Sequence, residues 1–153
     1  MKITDLLRKD FIIEELVSTN KQEVLDELSR SFQKGNIKFN LEAMIKIIME
    51  REKLGSTGIG DHIAIPHGKL HGLDGMIVSF GRSSRGIDFD AMDGKTVNLF
   101  FLLMAPEQST GQHLKVLAKI SRMLKDQQFR KCLMEAKSKD ELYQVIAEKD
   151  DQT

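Results

Sequence analysis

His67 is the residue of this sequence whose neighbours best suit covalent chemistry. Pro66 precedes it and Gly68 follows it, directly after residues 63–65 (Ile-Ala-Ile), which predict a short buried strand. Proline fixes φ on the approach, and glycine lets another part of the chain come close. A neutral imidazole is a good nucleophile near neutral pH and can carry a covalent intermediate. The pattern makes His67 a candidate nucleophile, and an ordinary turn histidine is the simpler alternative.

A glycine-rich segment precedes this histidine and contains Gly55, Gly58 and Gly60. Such a loop can turn its backbone N–H groups toward an anion. Gly55 and Gly60 have the separation found in nucleotide-binding phosphate loops, but Asp61 and His62 stand where those loops need Lys and Ser or Thr. The segment therefore predicts an anion-holding loop without a nucleotide, and no cofactor is expected.

A metal site is an alternative, because three histidines lie close together: His62, His67 and His71. With the carboxylate of Asp61 they have the chemistry of zinc ligands. Pro66 prevents one helix from carrying all three, and on a strand His62 and His67 would point to opposite faces. We therefore expect no metal ligands and an exposed loop position for His71.

Arg51 and His113 occupy unusual positions near predicted helix ends. Arg51 is in line with the apolar face of its helix, in the last turn before the glycine loop. It either complements the helix dipole from the surface or points at a site under the loop, and the pattern favours neither. His113 lies in the first turn of a helix, where the helix N-terminus lowers a histidine pKa and attracts anions. Taken alone, such a histidine is more often a surface residue.

The helices are predicted from capping residues and apolar spacing. Asn20, Asn40 and Ser138 are N-cap types, and apolar residues three and four apart follow each of them. The same spacing assigns Leu54 to the apolar face of the second helix. It also assigns Leu114 to the face of the helix that follows the last strand.

The strands are predicted from apolar runs bounded by Gly and Pro. They cover residues 63–65, 76–80 and 96–104, and a further short strand is predicted at 11–16. The near-continuous apolar run at 96–104 indicates a strand buried on both faces. We expect one domain over residues 1–153 of the α/β (α+β) class, a mixed sheet of about five strands with helices on both faces.

Composition excludes several classes of protein. Among 153 residues, 23 Lys and Arg balance 23 Asp and Glu, which argues against nucleic-acid binding. No signal peptide is visible, and no apolar run approaches the roughly 18 residues of a membrane span. The single cysteine, Cys132, excludes an internal disulfide framework and favours the cytoplasm. Its place in an apolar stripe predicts a buried thiol.

The segment 51–69, REKLGSTGIGDHIAIPHGK, resembles the signature of the fructose/mannitol-type enzyme IIA domains of the bacterial phosphotransferase system. The resemblance continues through IDFDAMDGKTVNLFFLLMAP, QHLKVL and DELYQVI, and so covers nearly the whole chain. Within that family, LGSTGIG, IAIPHGKL and ELYQVI look most like the nitrogen-regulatory branch.

The resemblance implies a phosphohistidine relay. In such domains the histidine of the IPH motif accepts a phosphoryl group from a small HPr-like carrier protein, and it corresponds to His67. The second active-site histidine of the family corresponds to His113, and its conserved arginine corresponds to Arg51. The family fold, a mixed sheet flanked by helices, agrees with the elements predicted above.

The glycine loop then has a supporting role, in which Ser56, Gly58 and Gly60 help to hold the loop around the phosphoryl site. One departure is visible, because His62, preceded by Asp61, stands where the family often has glycine. We expect this difference to affect the loop conformation and the preference for partners, and not phosphorylation itself.

Four functions follow as hypotheses. The leading one is a nitrogen-type regulatory phosphocarrier, whose partners respond to its phosphorylation state; the lack of a fused transporter segment favours it. A sugar-specific enzyme IIA component is the main alternative. The others are an interaction module with structural histidines and a metal hydrolase.

Overall fold

A six-stranded mixed sheet lies at the centre of the structure, a computed structural model that describes residues 1–153. Its strands are β1 (Ile12–Ile13), β2 (Gly58–Gly60), β3 (Ile63–Ala64), β4 (His67–Leu70), β5 (Ile77–Ile87) and β6 (Val97–Pro106). The order is β1-β5-β6-β3-β2, and β4 continues along β6 beyond β3. The pairs β5–β6 and β2–β3 are antiparallel, whereas β1 runs parallel to β5, and β3 and β4 both run parallel to β6.

Five α-helices cover this sheet. They are α1 (Lys21–Ser31), α2 (Leu41–Leu54), α3 (Gln112–Leu124), α4 (Gln127–Glu135) and α5 (Lys139–Gln152). Three short 3-10 helices lie at Ile3–Asp5, Lys9–Phe11 and Phe32–Lys34. The predicted caps are confirmed: the side chains of Asn20, Asn40 and Ser138 each accept the backbone N–H three residues ahead, at 2.9–3.0 Å. No helix of the structure is long and apolar enough to cross a membrane.

The hydrophobic core is continuous across the sheet and both groups of helices. Helices α1 and α2 pack on each other and on β5 and β4, whereas α3, α4 and α5 pack together against β6, β5 and β1. Residues Leu99–Ala105 of β6 are all buried, which confirms the prediction from their apolar run. The predicted fold class, an α/β arrangement of a mixed sheet and flanking helices, is therefore confirmed.

The sequence did not predict two of the strands or the full length of a third. Strands β2 and β4 lie in the glycine loop and after Pro66, where no apolar alternation marks them. Strand β5 extends to Ile87 through polar residues, although a strand ending at Phe80 was predicted. These segments become strands because β3 and β6 offer them partners, and local propensity does not report such pairing.

Three predicted burials are wrong. Leu54 is 86% exposed and Leu114 is 60% exposed, because they occupy the last turn of α2 and the first turn of α3. Beyond those helix ends no neighbouring element covers them. Cys132 is only partly buried, and Gln128 of the same helix lies against its Sγ.

Asp150 is a buried charge that joins both ends of the chain to α3. Its side chain is 0% exposed, its Oδ1 lies 2.6 Å from Lys119 Nζ, and its Oδ2 accepts the Thr4 N–H at 3.1 Å. Burial by itself raises the pKa of Asp150, but the bonds from Lys119 and the backbone outweigh it. The pKa therefore lies below the ordinary 3.8.

Asp150→Asn is expected to lower the free energy of unfolding by about 3 kcal/mol near pH 7, because it leaves Lys119 without its partner. Since the folded-state pKa is depressed, this stabilisation is present above the unfolded value and is lost as the pH falls through the folded value. Denaturant unfolding of the wild-type protein and Asp150→Asn from pH 7 to pH 3 should show that the difference between their free energies of unfolding narrows. Asp151→Asn is the matched control, because that neighbour pairs with Lys2 at the surface. An equal loss in the control would contradict the assignment.

Candidate functional site

His67 is the first residue of β4 and is half-buried beside β6, where its register partner is Leu103. Its Nδ1 lies 2.9 Å from the carbonyl oxygen of Ile65. A carbonyl only accepts hydrogen bonds, so Nδ1 is the nitrogen that carries the proton. The neutral ring therefore has its lone pair on Nε2, which is the nitrogen available for bond formation.

Gly68 allows α2 to lie directly on β4. A Cβ at this position would stand 2.8 Å from Ile47 Cγ2, which is closer than such atoms approach one another. The predicted close approach after His67 is therefore confirmed, with α2 as the element that makes it. Arg51 follows Ile47 by one helical turn and is half-buried. Its Nη1 donates to the Gly55 carbonyl at 2.9 Å, so the structure places this guanidinium at the start of the glycine loop.

His113 lies in the first turn of α3 and is brought near His67 through Lys69 and Ser109. Lys69 Nζ donates to the Ser109 carbonyl at 3.0 Å, and Ser109 Oγ lies 3.3 Å from His113 Nδ1. Burial lowers the pKa of His113 below its ordinary 6.5, and the cationic forms of Lys69 and His67 lower it further. The site therefore joins two histidines and a lysine, and its electrostatics favour a neutral His113.

Lys69→Met is expected to raise the pKa of His113, because a neighbouring cation is removed. An NMR titration of the His113 ring should move upward from a midpoint below 6.5. Because the folded-state pKa lies below the unfolded one, protonation of His113 costs stability as the pH falls below about 6.5. The variant should reduce that cost. Lys95→Met, an exposed lysine in the turn before β6, is the control, and an equal shift there would refute the assignment.

The glycine loop is held by its own side chains and by the turn at residues 88–90. Ser56 Oγ donates to the Phe89 carbonyl at 2.9 Å and accepts the Gly58 N–H at 3.0 Å. This N–H is therefore already paired, which corrects the expectation that Gly58 offers it to an anion. Gly58 serves close packing instead, since a Cβ there would lie 3.0 Å from Ala91. Gly60 has φ +99°, a conformation that favours glycine.

Glu52 is a buried carboxylate beside the glycine loop that the sequence analysis did not single out. It is 7% exposed, and its carboxylate accepts the backbone N–H of Thr57 at 3.1 and 3.2 Å as well as the Thr57 hydroxyl. Lys21 Nζ lies 2.8 Å from the same carboxylate. The signal was present in the helical spacing, because Met44, Ile48 and Glu52 are four residues apart and all buried.

The other two clustered histidines lie away from His67. His62, with φ +63°, follows Asp61, with φ +55°, in the turn between β2 and β3. Its Nδ1 donates to the Thr96 carbonyl at 2.8 Å. Since its backbone meets β6 near Leu99, it is separated from His67 by about 13 Å along that strand.

His71 is exposed, as predicted, and its Nδ1 lies 3.1 Å from Glu107 Oε2. The three histidines therefore make separate contacts. The surface cavity of about 740 Å³ adjoins the 61–62 turn and helix α4, and the residues that line it do not include His67.

The sequence matches the family model described as the phosphoenolpyruvate-dependent sugar phosphotransferase system, EIIA 2, over residues 5–149. A nitrogen regulatory protein of Bradyrhizobium diazoefficiens is 41% identical over 147 residues, which are 96% of this chain and 95% of that protein. The fructose-specific EIIABC component of Bacillus subtilis is 37% identical over 150 residues, which are 98% of this chain but 24% of that protein.

The fold has a close match among solved structures. The crystal structure of the nitrogen regulatory protein IIA-Ntr from Neisseria meningitidis superimposes with a TM-score of 0.86 at 32% sequence identity. The match covers 94% of this chain and 98% of that chain. The resemblance found in the sequence motifs is therefore confirmed over nearly the whole length.

Proposed function

The chain belongs to the EIIA 2 family of the phosphoenolpyruvate-dependent sugar phosphotransferase system, and on that premise we propose that it is a phosphohistidine carrier. Nε2 of His67 attacks the phosphoryl group of an HPr-like carrier protein. The new N–P bond forms as the N–P bond to the donor histidine breaks, and the electron pair of that bond stays on the donor ring. The observation that carries this proposal is the Nδ1–H bond to Ile65, which leaves the Nε2 lone pair free.

Three neighbouring side chains stabilise the charge of the transferred group. Phosphoryl transfer depends mainly on positioning and electrostatics, and all three offer N–H donors. His113 is kept neutral by burial and donates from its ring, and Lys69 supplies a full charge beside it. Arg51 has four further N–H groups beyond the one on Gly55 and can offer a fork to two phosphoryl oxygens.

A protein donor fits the surface around these residues better than a small molecule. His67 is half-buried and does not line the cavity of about 740 Å³, so that cavity does not lead a small molecule to the nucleophile. Exposed apolar side chains adjoin the site residues along the chain: Leu54 at 86%, Leu114 at 60% and Ile59 at 45% exposure. Apolar anchors amid charged groups are typical of a protein interface, and they support an apolar rim for the docked carrier.

Regulation by phosphorylation state is the proposed output, in the cytoplasm and without nucleic acid. The chain has a formal net charge of zero, and a phosphoryl group adds about 1.5 to 2 negative charges at pH 7. That change is concentrated beside Lys69 and alters which partners bind there. The similarity to nitrogen regulatory proteins over nearly the full chain supports this output. We extend the proposal to residues 1–153 as one enzyme IIA domain.

A sugar-specific role is the second candidate, and the 37% identity to the fructose-specific component of Bacillus subtilis supports it. The two candidates share the chemistry at His67 and differ in the donor and in the recipient. In the sugar system the recipient is a sugar-specific protein, whereas in the nitrogen system it is a regulated target.

The test is incubation with phosphoenolpyruvate and the upstream phosphotransferase proteins, with either a nitrogen-type or a sugar-type carrier. We expect one acid-labile, base-stable phosphoryl group per chain, acquired faster from the nitrogen-type carrier. A strong preference for the sugar-type carrier would favour the second candidate. Absence of label from either donor would refute the phosphocarrier function.

A further inference from the structure

We infer that Glu52 and Thr57 form a positioning relay that fixes the ring of His67 through Ile65. The relay runs from the Glu52 carboxylate to Thr57, from the Thr57 carbonyl to the Ile65 N–H, and from the Ile65 carbonyl to His67 Nδ1. Its role in transfer rests on the proposed function. Its effect on the ring of His67 does not, because that effect exists before any phosphoryl donor binds.

The relay begins at a buried carboxylate whose two oxygens both have hydrogen-bonding or charged partners. Glu52 receives the Thr57 N–H on both oxygens, receives the Thr57 hydroxyl, and lies 2.8 Å from Lys21 Nζ. Lys21 is itself held over the ring of Phe89, 4.8 Å from its centroid. A buried charge with this many partners keeps one orientation, so Thr57 is fixed relative to both α1 and α2.

The middle of the relay is a strand hydrogen bond. Gly58 and Ala64 are register partners, and the Thr57 carbonyl extends that pairing by accepting the Ile65 N–H at 3.1 Å. Thr57 is 4% exposed and Ile65 is 6% exposed. Water therefore does not compete for this bond, and a displacement of Thr57 is passed to Ile65, whose own carbonyl faces His67 Nδ1.

The relay ends at the atom that selects the nucleophilic nitrogen. The Ile65 carbonyl holds the proton of His67 on Nδ1, and this leaves the lone pair on Nε2. The Pro66 carbonyl is fixed separately by the Leu103 N–H at 3.0 Å. The chain before His67 is thus held by β6 at Pro66 and by the relay at Ile65, so loss of Glu52 frees only one of these two points.

The test compares Glu52→Gln and Thr57→Val with the conservative Thr57→Ser. Nitrogen-15 NMR of the imidazole at high pH measures the fraction of neutral His67 with its proton on Nδ1. We expect that fraction to fall in Glu52→Gln and Thr57→Val and to equal the wild-type value in Thr57→Ser. With the phosphoryl donor present, their transfer rates should fall roughly tenfold, because small misplacement of reacting groups slows transfer.

Glu27→Gln is the matched control. Glu27 also holds a loop through backbone N–H groups and a hydroxyl, those of Val17 and Ser18, and it does so away from His67. It should change neither the tautomer of His67 nor the transfer rate. The inference is overturned if Glu52→Gln and Thr57→Val keep the wild-type tautomer, or if the control shifts it equally.

Two further outcomes also decide the matter. If Glu52→Gln does not fold, the comparison of Thr57→Val with Thr57→Ser gives the answer, since both keep the carboxylate. If the wild-type protein accepts no phosphoryl group, the proposed function fails, while the tautomer measurement still confirms or refutes the relay.

Discussion

His67→Ala should take up no phosphoryl group, even with excess phosphoenolpyruvate and upstream proteins. The nucleophilic nitrogen is removed, and we expect no neighbouring group to replace it, because the second histidine of the site, His113, is held by its Nδ1 against the Ser109 hydroxyl. Transfer requires a lone pair aligned with the donor N–P bond, so the loss should be complete and not partial. Intact-protein mass spectrometry after incubation measures it directly as the absence of the added phosphoryl mass.

His62→Ala is the matched control for this loss. Like His67, His62 donates a hydrogen bond from Nδ1 to a backbone carbonyl. Unlike His67, it is exposed, and it lies near the start of β6. The control should be phosphorylated like the wild-type protein. Label retained in His67→Ala, or lost in His62→Ala, would mean that the acceptor has been assigned to the wrong residue.

His113→Ala is expected to fold normally and to accept the phosphoryl group about a hundredfold more slowly. One charge-stabilising donor contributes about 3 kcal/mol to the barrier of such a reaction, which corresponds to that factor. Arg51→Met should have an effect of similar size, since it removes the guanidinium. Rapid-quench kinetics with phosphorylated carrier protein measures both rates.

Arg51→Lys distinguishes the contribution of the paired guanidinium N–H groups from that of the positive charge. A lysine keeps the positive charge but loses the paired N–H groups that match two phosphoryl oxygens, so most of the rate should stay lost. His71→Ala is a control with a surface histidine whose partner is Glu107. Wild-type rates in His113→Ala or Arg51→Met would remove that residue from the site.

Local signals explain which parts of the fold could be predicted from the sequence. The caps at Asn20, Asn40 and Ser138 form hydrogen bonds within one turn, so the residues that identify them are adjacent in the chain. The apolar run of β6 likewise carries its own burial pattern. The second half of β5 has no such burial pattern in its own sequence. Its polar Arg82 is buried because it donates to the carbonyls of Leu133 and Ala136, at the end of α4.

In the candidate site, too, the features with a signal in the local sequence were predicted, and those that depend on pairing with distant segments were not. Pro66 and Gly68 mark His67 in the sequence because they are its neighbours in the chain, although the contact that requires Gly68 comes from Ile47 of α2. The relay from Glu52 was not predicted, because it depends on the pairing of β2 with β3, and β2 has no apolar pattern. The exposure of Leu114 was missed for a related reason, since helical spacing does not report where the neighbouring elements end.

The position of phosphorus on the imidazole ring is the measurement that tests the central claim most directly. Protein labelled with nitrogen-15 at histidine is phosphorylated by the upstream proteins, and phosphorus–nitrogen coupling then identifies the bonded nitrogen. We expect one phosphoryl group on Nε2 of His67, with Nδ1 still carrying its proton toward the Ile65 carbonyl. Phosphorus on Nδ1, or on any other histidine, would contradict the account.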